Sequence, residues 1–176
     1  MLKGFGPVVS ILLRFIIVYV ILLGLYQYYL SATATMGLDP YSTMIAEQVN
    51  ALQNILGTES FLQPDPAHSQ IYYGMYERTV TRMVEGCNAI SILILFVAFI
   101  LAFYKGVQTL WYLLIGGSII YIMNLLRIMA LNYVVYFYRS YSEAFHDYIF
   151  PSIIYGTVIV LWLVWIQFFV LKNEKN

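Results

Sequence analysis

The stretch Val84-Glu85-Gly86-Cys87-Asn88-Ala89-Ile90 divides the chain into two parts of different character. A polar segment, residues 31–86, precedes the hydrophobic sequence, which runs almost unbroken from the end of this stretch. The stretch also contains the only cysteine of the chain, Cys87. A thiol at the start of a hydrophobic run is either a nucleophile or a small apolar side chain that fills space.

The composition indicates a membrane protein. The chain is 61% hydrophobic and 10% charged, whereas soluble domains are about 25% charged. A core of ordinary size cannot hide that much apolar surface, so the excess must face a lipid bilayer. The net charge of zero gives no support for nucleic-acid binding. One cysteine and two widely separated histidines exclude an internal disulfide and argue against a metal site, and we predict no cofactor.

Four hydrophobic runs predict four membrane-spanning helices, at about residues 8–30, 88–104, 110–137 and 148–171. The first has roughly 23 residues, enough to cross a hydrocarbon layer of about 30 Å. Ala32-Thr33-Ala34 resembles a signal-peptidase site, so a cleaved signal peptide is the alternative. We favour a retained helix, because the run is longer than the roughly 7–15 apolar residues of a signal peptide and contains Arg14.

The polar segment predicts an amphipathic helix. Asp39-Pro40 is a typical N-cap followed by proline, and Gly57 is a typical stop. Apolar residues between them fall at helical spacing: Tyr41, Met44, Ile45, Val49, Leu52, Ile55 and Leu56. We expect Pro64-Asp65-Pro66 to break regular structure, and the weak strand character of residues 70–80 allows a short hairpin.

The predicted fold is therefore an all-α membrane protein, a bundle of four membrane-spanning helices with the amphipathic helix outside it. It forms one domain, residues 1–176, whose segment 31–86 is extracytoplasmic. Four spans put both termini on one side, together with five basic residues: Lys3, Arg14, Lys105, Lys172 and Lys175. The other side carries three, namely Arg78, Arg82 and Arg139. The positive-inside rule then puts the termini in the cytoplasm and residues 31–86 outside the inner (cytoplasmic) membrane.

This topology brings three chemically interesting side chains to one depth. Cys87 and His146 lie at the outer ends of the second and fourth spans. Arg127 lies about 25 Å along the third span, just beneath the outer boundary. Asn124 lies one turn before Arg127 on the same face and could orient its guanidinium.

Each residue also has a purely structural explanation. Cys87 could be a small apolar side chain, and His146 beside Asp147 could be ordinary polarity at a membrane boundary. Arg127 is harder to explain in this way, because a charge within a span is costly and commonly marks a functional interior. As a set, they suit acyl transfer with Cys87 as nucleophile, His146 as acid/base and Arg127 stabilising the oxyanion.

Three segments resemble the signature segments of the exosortase/archaeosortase family: Glu85-Gly86-Cys87-Asn88-Ala89, Asn124-Leu125-Leu126-Arg127-Ile128 and Phe145-His146-Asp147. The resemblance covers roughly residues 75–165 and suggests a compact exosortase subtype. Many members have Ser-Gly after the cysteine, where this chain has Asn88-Ala89. They are multipass membrane proteins that process proteins bearing a C-terminal motif, a membrane helix and a basic tail.

The resemblance implies that Cys87, Arg127 and His146 are catalytic, and we add Asn124, Glu85 and Asn88 as supporting residues. The expected function is a membrane cysteine peptidase or transpeptidase that cleaves C-terminal sorting signals at the outer face of the membrane. Its partners would be membrane-anchored protein substrates and the lipid bilayer. The alternative is a non-catalytic structural or accessory subunit of an envelope secretion or polysaccharide-export assembly. A transporter is poorly supported, because neither repeat symmetry nor a broken helix pair is visible.

Overall fold

A computed structural model describes residues 5–171, and its secondary structure is mainly helical. Six α-helices, named α1 to α6, are joined by short 3₁₀ and π-helical segments and by one small sheet. The helices are Phe5–Thr33, Pro40–Ile55, Ile90–Ala102, Val107–Phe137, Ser142–Ala144 and Phe150–Trp165. The strands, named β1 to β3, are Ser60–Asp65, Gln70–Met75 and Arg78–Met83. Within the described residues, the all-α prediction is therefore correct for most of the chain; it allowed the hairpin of β2 and β3 but not the third strand, β1.

Three helical stretches are long and apolar enough to cross a membrane: Val8–Thr33, Val107–Phe137 and Arg139–Val170. The predicted second span at residues 88–104 is the exception. Its helix, α3, has 13 residues from Ile90 to Ala102 and is about 20 Å long, which is shorter than a hydrocarbon layer of about 30 Å. The helix is short because Ala89 before it has a left-handed backbone and the chain turns at Gly106 after it.

Two compact units divide the described chain. The first comprises residues 5–27, 90–120 and 155–171. Its helices pack through aromatic side chains: the Phe99 and Trp162 rings stack with centroids 4.3 Å apart, and the Tyr112 hydroxyl donates to the Leu161 carbonyl at 2.6 Å. Gly116 makes room for the Phe96 ring in the same unit, because a Cβ at Gly116 would lie 2.4 Å from that ring.

The second unit comprises residues 28–89 and 121–154. Its core joins α2, the sheet and α4 through a set of buried side chains that we call the core cluster: Leu38, Ile45, Ala46, Val49, Ile71, Tyr73, Met83, Leu125 and Ile128. Every residue of the predicted catalytic and supporting set belongs to this unit.

The predicted amphipathic helix is present with nearly the predicted bounds. Asp39 is its N-cap and accepts a hydrogen bond from the Ser42 amide at 3.0 Å, and Pro40 is its first residue. The buried face is only partly as predicted, because Ile45 and Val49 are in the core cluster whereas Ile55 is 79% exposed. Ser42 and Gln53 take buried positions instead, and their polar groups bind other parts of the unit.

The sheet is antiparallel in the order β1-β2-β3. The hairpin of β2 and β3 confirms the predicted strand character of residues 70–80. The prediction that Pro64 breaks regular structure is wrong, because β1 runs through it. Proline is tolerated on an edge strand, where its missing N–H need not face a neighbour. The pairing of β2 with β3 shifts register between Tyr73 and Gly74, which redirects the side chains at this point.

Candidate functional site

A tight turn holds Cys87 in the segment that follows the sheet. After β3 ends at Met83, the backbone forms a 3₁₀ helix over Glu85–Cys87, and the Cys87 amide donates to the Val84 carbonyl at 2.9 Å. The thiol side chain is half-buried and packs against the core cluster. The sulfur therefore lies at the edge of an apolar core, with one side open to the exterior.

Ala89 completes this turn in a conformation that favours glycine. Its φ is +59° and its side chain is buried. A left-handed backbone costs an L-residue about 1–2 kcal/mol, whereas glycine adopts it freely. The alanine at this position thus adds local strain in the turn next to Cys87.

Asn124 connects the cysteine turn to α4. Its side-chain amide, 1% exposed, donates to the Cys87 carbonyl at 3.1 Å. Its carbonyl oxygen accepts from Nη1 of Arg127 at 3.4 Å, a long and therefore weak hydrogen bond. One buried amide thus ties the cysteine backbone to the guanidinium, and it makes the contact with Arg127 that the helical spacing predicts.

Arg127 also has an N–H group that takes part in no hydrogen bond within the described residues. The side chain is half-buried, and its Nε is buried without an acceptor among the described residues. Buried donors are nearly always paired in folded proteins, because an unpaired one loses its hydration without compensation. An N–H group in this position is available to an acceptor that residues 5–171 do not supply.

The two supporting residues beside the cysteine differ in their surroundings. Asn88 is 2% exposed, and its amide donates to the Ser42 hydroxyl at 2.9 Å, which fixes the cysteine turn to the first turn of α2. Glu85 is half-buried and forms no side-chain hydrogen bond or ion pair within residues 5–171. Asn88 therefore positions the turn, whereas the structure gives Glu85 no such task.

His146 lies apart from these groups, in the π-helical segment Phe145–Ile149. Its Nδ1 is 2.8 Å from Oδ1 of Asp147, and the two side chains are 56% and 53% exposed. In the part of the chain that the structure describes, this is the only side-chain hydrogen bond or ion pair of the ring. The structure thus joins Cys87 to Arg127 through Asn124, but no hydrogen bond joins His146 to either residue.

A cleft of about 420 Å³ opens beside His146. Residues of β3, α4 and the segment after α4 line it: Val80, Thr81, Arg82, Leu131, Val135, Arg139, Ser142, Glu143, His146 and Asp147. Leu131 and Val135 are about one and two turns beyond Arg127 on α4. The cleft thus brings His146 together with residues of α4 that follow Arg127, and the common level of the imidazole and the guanidinium stays a prediction.

Tyr73 is the residue at this site that the sequence analysis missed. Its side chain is fully buried, and its hydroxyl has no partner within the described residues. Burial raises the pKa of the Tyr73 phenol, and negative charge on Cys87 raises this pKa further. A tyrosine in a strand commonly reflects only β-propensity, so no sequence pattern distinguishes this phenol from an ordinary core residue.

No protein-family model, curated protein or solved structure matches this chain. The chemistry of the site must accordingly be argued from its own residues. These are one thiol, one guanidinium held by a buried amide, unpaired buried donors and an exposed imidazole nearby. Within the described residues, no three His, Cys, Asp or Glu side chains group as metal ligands. Thiol chemistry with stabilisation of a negative oxygen is what this set of groups suits best.

Proposed function

We propose that this chain is a membrane-embedded cysteine peptidase or transpeptidase of the exosortase type, which cleaves C-terminal sorting signals of exported proteins. The observation that carries the proposal is the Asn124 side chain, which binds both the Cys87 carbonyl and the Arg127 guanidinium. The three residues come from two elements distant in sequence, and two of the three signature-like segments meet in this contact. A cysteine that only fills space needs no such arrangement.

The reaction begins at the sulfur. The Cys87 thiolate attacks the carbonyl carbon of the scissile peptide bond, and a C–S bond forms while the carbonyl oxygen becomes negative. Arg127 stabilises this oxygen through its unpaired Nε–H. Such stabilisation is strong because it acts at a site from which water is partly excluded.

His146 acts at the other end of the scissile bond. Because its ring forms no hydrogen bond with Cys87 within the described residues, we assign it protonation of the leaving amine and not activation of the thiol. Asp147 holds Nδ1 at 2.8 Å, which leaves Nε2 as the ring nitrogen that can transfer the proton. The C–N bond breaks, the tail segment leaves as an amine, and water or another nucleophile resolves the thioester.

The topology of four spans belongs to the same proposal. Helix α3 spans about 20 Å, and the segments 85–89 and 103–106 at its ends would complete the crossing within the headgroup regions. Both termini then face the cytoplasm of a cell with an inner membrane, and the site faces outward. Three of the basic residues behind this orientation, Lys3, Lys172 and Lys175, lie outside the described residues.

A labelling experiment tests this orientation directly. Because Cys87 is the only thiol in the chain, no engineered background is needed. A membrane-impermeant maleimide should label Cys87 in intact spheroplasts, in which the outer face of the cytoplasmic membrane is accessible. Labelling that appears only after the cytoplasmic face is exposed would contradict both the orientation and the outward-facing site.

A comparison of membrane proteomes tests the proposed activity, whichever exported protein is the substrate. Membranes of the source cells are compared for wild type and Cys87→Ala, and C-terminal peptides of exported proteins are quantified by mass spectrometry. We expect proteins that retain a hydrophobic helix and a basic tail to accumulate in cells with Cys87→Ala. The variant itself should be as abundant in the membrane as the wild-type protein. Cys87→Ser should be nearly as inactive, because an unactivated hydroxyl is a much weaker nucleophile.

The alternative is a non-catalytic subunit of an envelope secretion or polysaccharide-export assembly. One observation favours it: His146 is exposed, and its ring is bound to Asp147 and not to Cys87. In that case Arg127 and Asn124 would serve only to fix α4 to the cysteine turn. Normal processing of every C-terminal tail in Cys87→Ala would refute the peptidase and support this alternative.

A further inference from the structure

Unpaired buried polar atoms point to one more residue of the site. Among the described residues, five buried side-chain atoms have no hydrogen-bond partner: Asp39 Oδ2, Tyr73 Oη, Arg127 Nε, Trp162 Nε1 and Trp165 Nε1. Arg127 is joined to the cysteine turn through Asn124, and Tyr73 belongs to the core cluster against which Cys87 packs. Both groups can donate a hydrogen bond, so each has a proton for an acceptor that the described residues do not supply.

Tyr73 is held firmly in place. It lies on the central strand β2 and is fully buried, so its ring cannot turn its hydroxyl to solvent. The register shift between Tyr73 and Gly74 occurs at this residue, and such irregularities commonly redirect a side chain next to an active site. The phenol is therefore a fixed group, which is what stabilisation of a transition state requires.

The phenol also keeps its proton. Burial raises the pKa of Tyr73, and negative charge on Cys87 raises it further. The neutral O–H is thus the form present at physiological pH, and it is a donor. Cys87 packs against the core cluster that contains Tyr73, so the thiol and the phenol belong to one group of packed side chains.

A purely structural explanation does not fit the hydroxyl. A phenylalanine would fill the same apolar space without burying a polar group that has no partner. The neighbouring Tyr72 shows the usual arrangement, since its hydroxyl accepts a hydrogen bond from Gln70 at 2.7 Å. The hydroxyl of Tyr73 therefore lacks the structural partner that its neighbour has.

We propose that Tyr73 is a catalytic residue that donates a hydrogen bond to the oxyanion formed at Cys87, as a second donor beside Arg127. The inference rests on the proposed function. When the thiolate adds to an acyl carbonyl, the C–S bond forms and the carbonyl electron pair moves to oxygen. The Tyr73 O–H and the Arg127 Nε–H then bind that oxygen until the C=O re-forms and the leaving group departs with the electron pair of its bond.

Two small electrophiles separate oxyanion stabilisation from thiol reactivity. p-Nitrophenyl acetate acylates a thiolate through a tetrahedral oxyanion and releases p-nitrophenolate, one per protein in a burst that is followed by its colour. Iodoacetamide alkylates the same thiolate by displacement of iodide, without an oxyanion. Both are applied to the purified full chain in detergent, where Cys87 is the only thiol.

Tyr73→Phe should slow the acylation burst about 10²-fold, the usual loss for one oxyanion donor. Its alkylation rate should equal that of wild type, and its melting temperature should be equal or higher, because an unpaired hydroxyl has been removed. Tyr72→Phe is the matched control. It loses its hydrogen bond with Gln70 and should melt at a slightly lower temperature, with both rates unchanged.

The outcomes distinguish a failure of this inference from a failure of the proposed function. Equal acylation rates in wild type and Tyr73→Phe would overturn the role of Tyr73 and leave Cys87 as nucleophile. A lower melting temperature with equal loss of both rates would also overturn it, since the hydroxyl would then be structural. If wild type is alkylated but gives no burst that depends on Cys87, the acyl-transfer function itself fails.

Discussion

Helix α4 carries two buried asparagines, Asn124 and Asn132, and their surroundings differ in one instructive respect. Asn132 is fully buried, accepts a hydrogen bond from the Thr81 hydroxyl and donates to Gln53 Oε1 at 3.0 Å. Asn124 is equally buried and also spans two elements, but the guanidinium that it holds has an unpaired Nε.

This difference separates a structural network from a candidate site. Around Asn132 the polar groups satisfy one another, and Ser60 extends the network by donating to Asn50 at 2.8 Å. Such a network fixes the register of α2, β3 and α4, and none of its side-chain atoms is buried without a partner within the described residues. Around Asn124 the donors exceed the acceptors, which is the condition for binding a group that develops negative charge. We therefore expect substitutions at the two asparagines to affect different properties.

The largest expected effect is that of Arg127→Lys. Lysine keeps the positive charge but replaces a planar, fixed set of donors by a flexible point charge. We expect processing to slow about 10²–10³-fold, or roughly 3–4 kcal/mol, the typical loss for one oxyanion donor. Conversion of precursors is measured by pulse-chase, with membrane abundance determined in parallel and expected to equal wild type.

Asn124→Ala is the companion variant for Arg127. It loosens the guanidinium without removing it, so we expect a smaller loss of rate than in Arg127→Lys. If Arg127→Lys were fully active, the guanidinium would be only a polar anchor. The oxyanion role would then pass to other donors, of which Tyr73 is the first to examine.

The second effect concerns His146. General acid catalysis contributes about 10²–10⁴-fold, and we expect His146→Ala to lie near 10², because solvent can reach this exposed position and deliver a proton. Asp147→Asn should cost much less, since an exposed pair is worth at most about 1 kcal/mol. Rates of precursor conversion across pH check this expectation, and full activity of His146→Ala at every pH would exclude the imidazole from the mechanism.

The third effect is that of a substitution at Asn132. Asn132→Ala leaves the Thr81 hydroxyl without its acceptor in a buried network, so we expect a loss of about 1–3 kcal/mol in the free energy of unfolding. Denaturant titration in detergent measures this loss. The processing rate per folded molecule should stay unchanged, and a specific loss of rate at wild-type stability would place Asn132 in the site as well.

Local chemistry explains which parts of the fold were predictable. The bounds of α2 follow from Asp39, Pro40 and Gly57, because caps act within a few residues. The edge strand through Pro64 was missed, because whether a proline faces a neighbouring strand depends on sheet order, which the sequence does not show. The length of α3 was overestimated, since hydrophobicity continues beyond Ile90 and Ala102 while the backbone turns.

The site was predictable to a similar degree. Helical spacing predicted the contact between Asn124 and Arg127, and the structure contains it. The common level of His146 and Arg127 was inferred from distance along separate helices, and it stays a prediction, because no hydrogen bond joins the two side chains within the described residues. Tyr73 could not be identified, because its distinguishing property is a missing partner, and this appears only when the strands are paired.

The smallest expected effect is at Ala89, and it tests the strained turn beside Asn124. Glycine at this position relieves about 1–2 kcal/mol of left-handed strain but loses a buried methyl worth about 0.8 kcal/mol and gains freedom in the unfolded chain worth about 0.4–1 kcal/mol. These terms nearly cancel, so Ala89→Gly should unfold within about 1 kcal/mol of wild type and process substrate normally.

Ala89→Val is the contrasting variant, for which we expect a larger loss of stability than for Ala89→Gly. A β-branched side chain at φ +59° meets both backbone strain and a buried position, so we expect a loss of more than 2 kcal/mol, within the usual range of roughly 1–3 kcal/mol for overpacking. Both variants are compared by denaturant titration and by alkylation of Cys87. Should Ala89→Val be as stable as Ala89→Gly, the turn would be free to adopt another conformation, and the contact of Asn124 with the Cys87 carbonyl would not fix the sulfur in place.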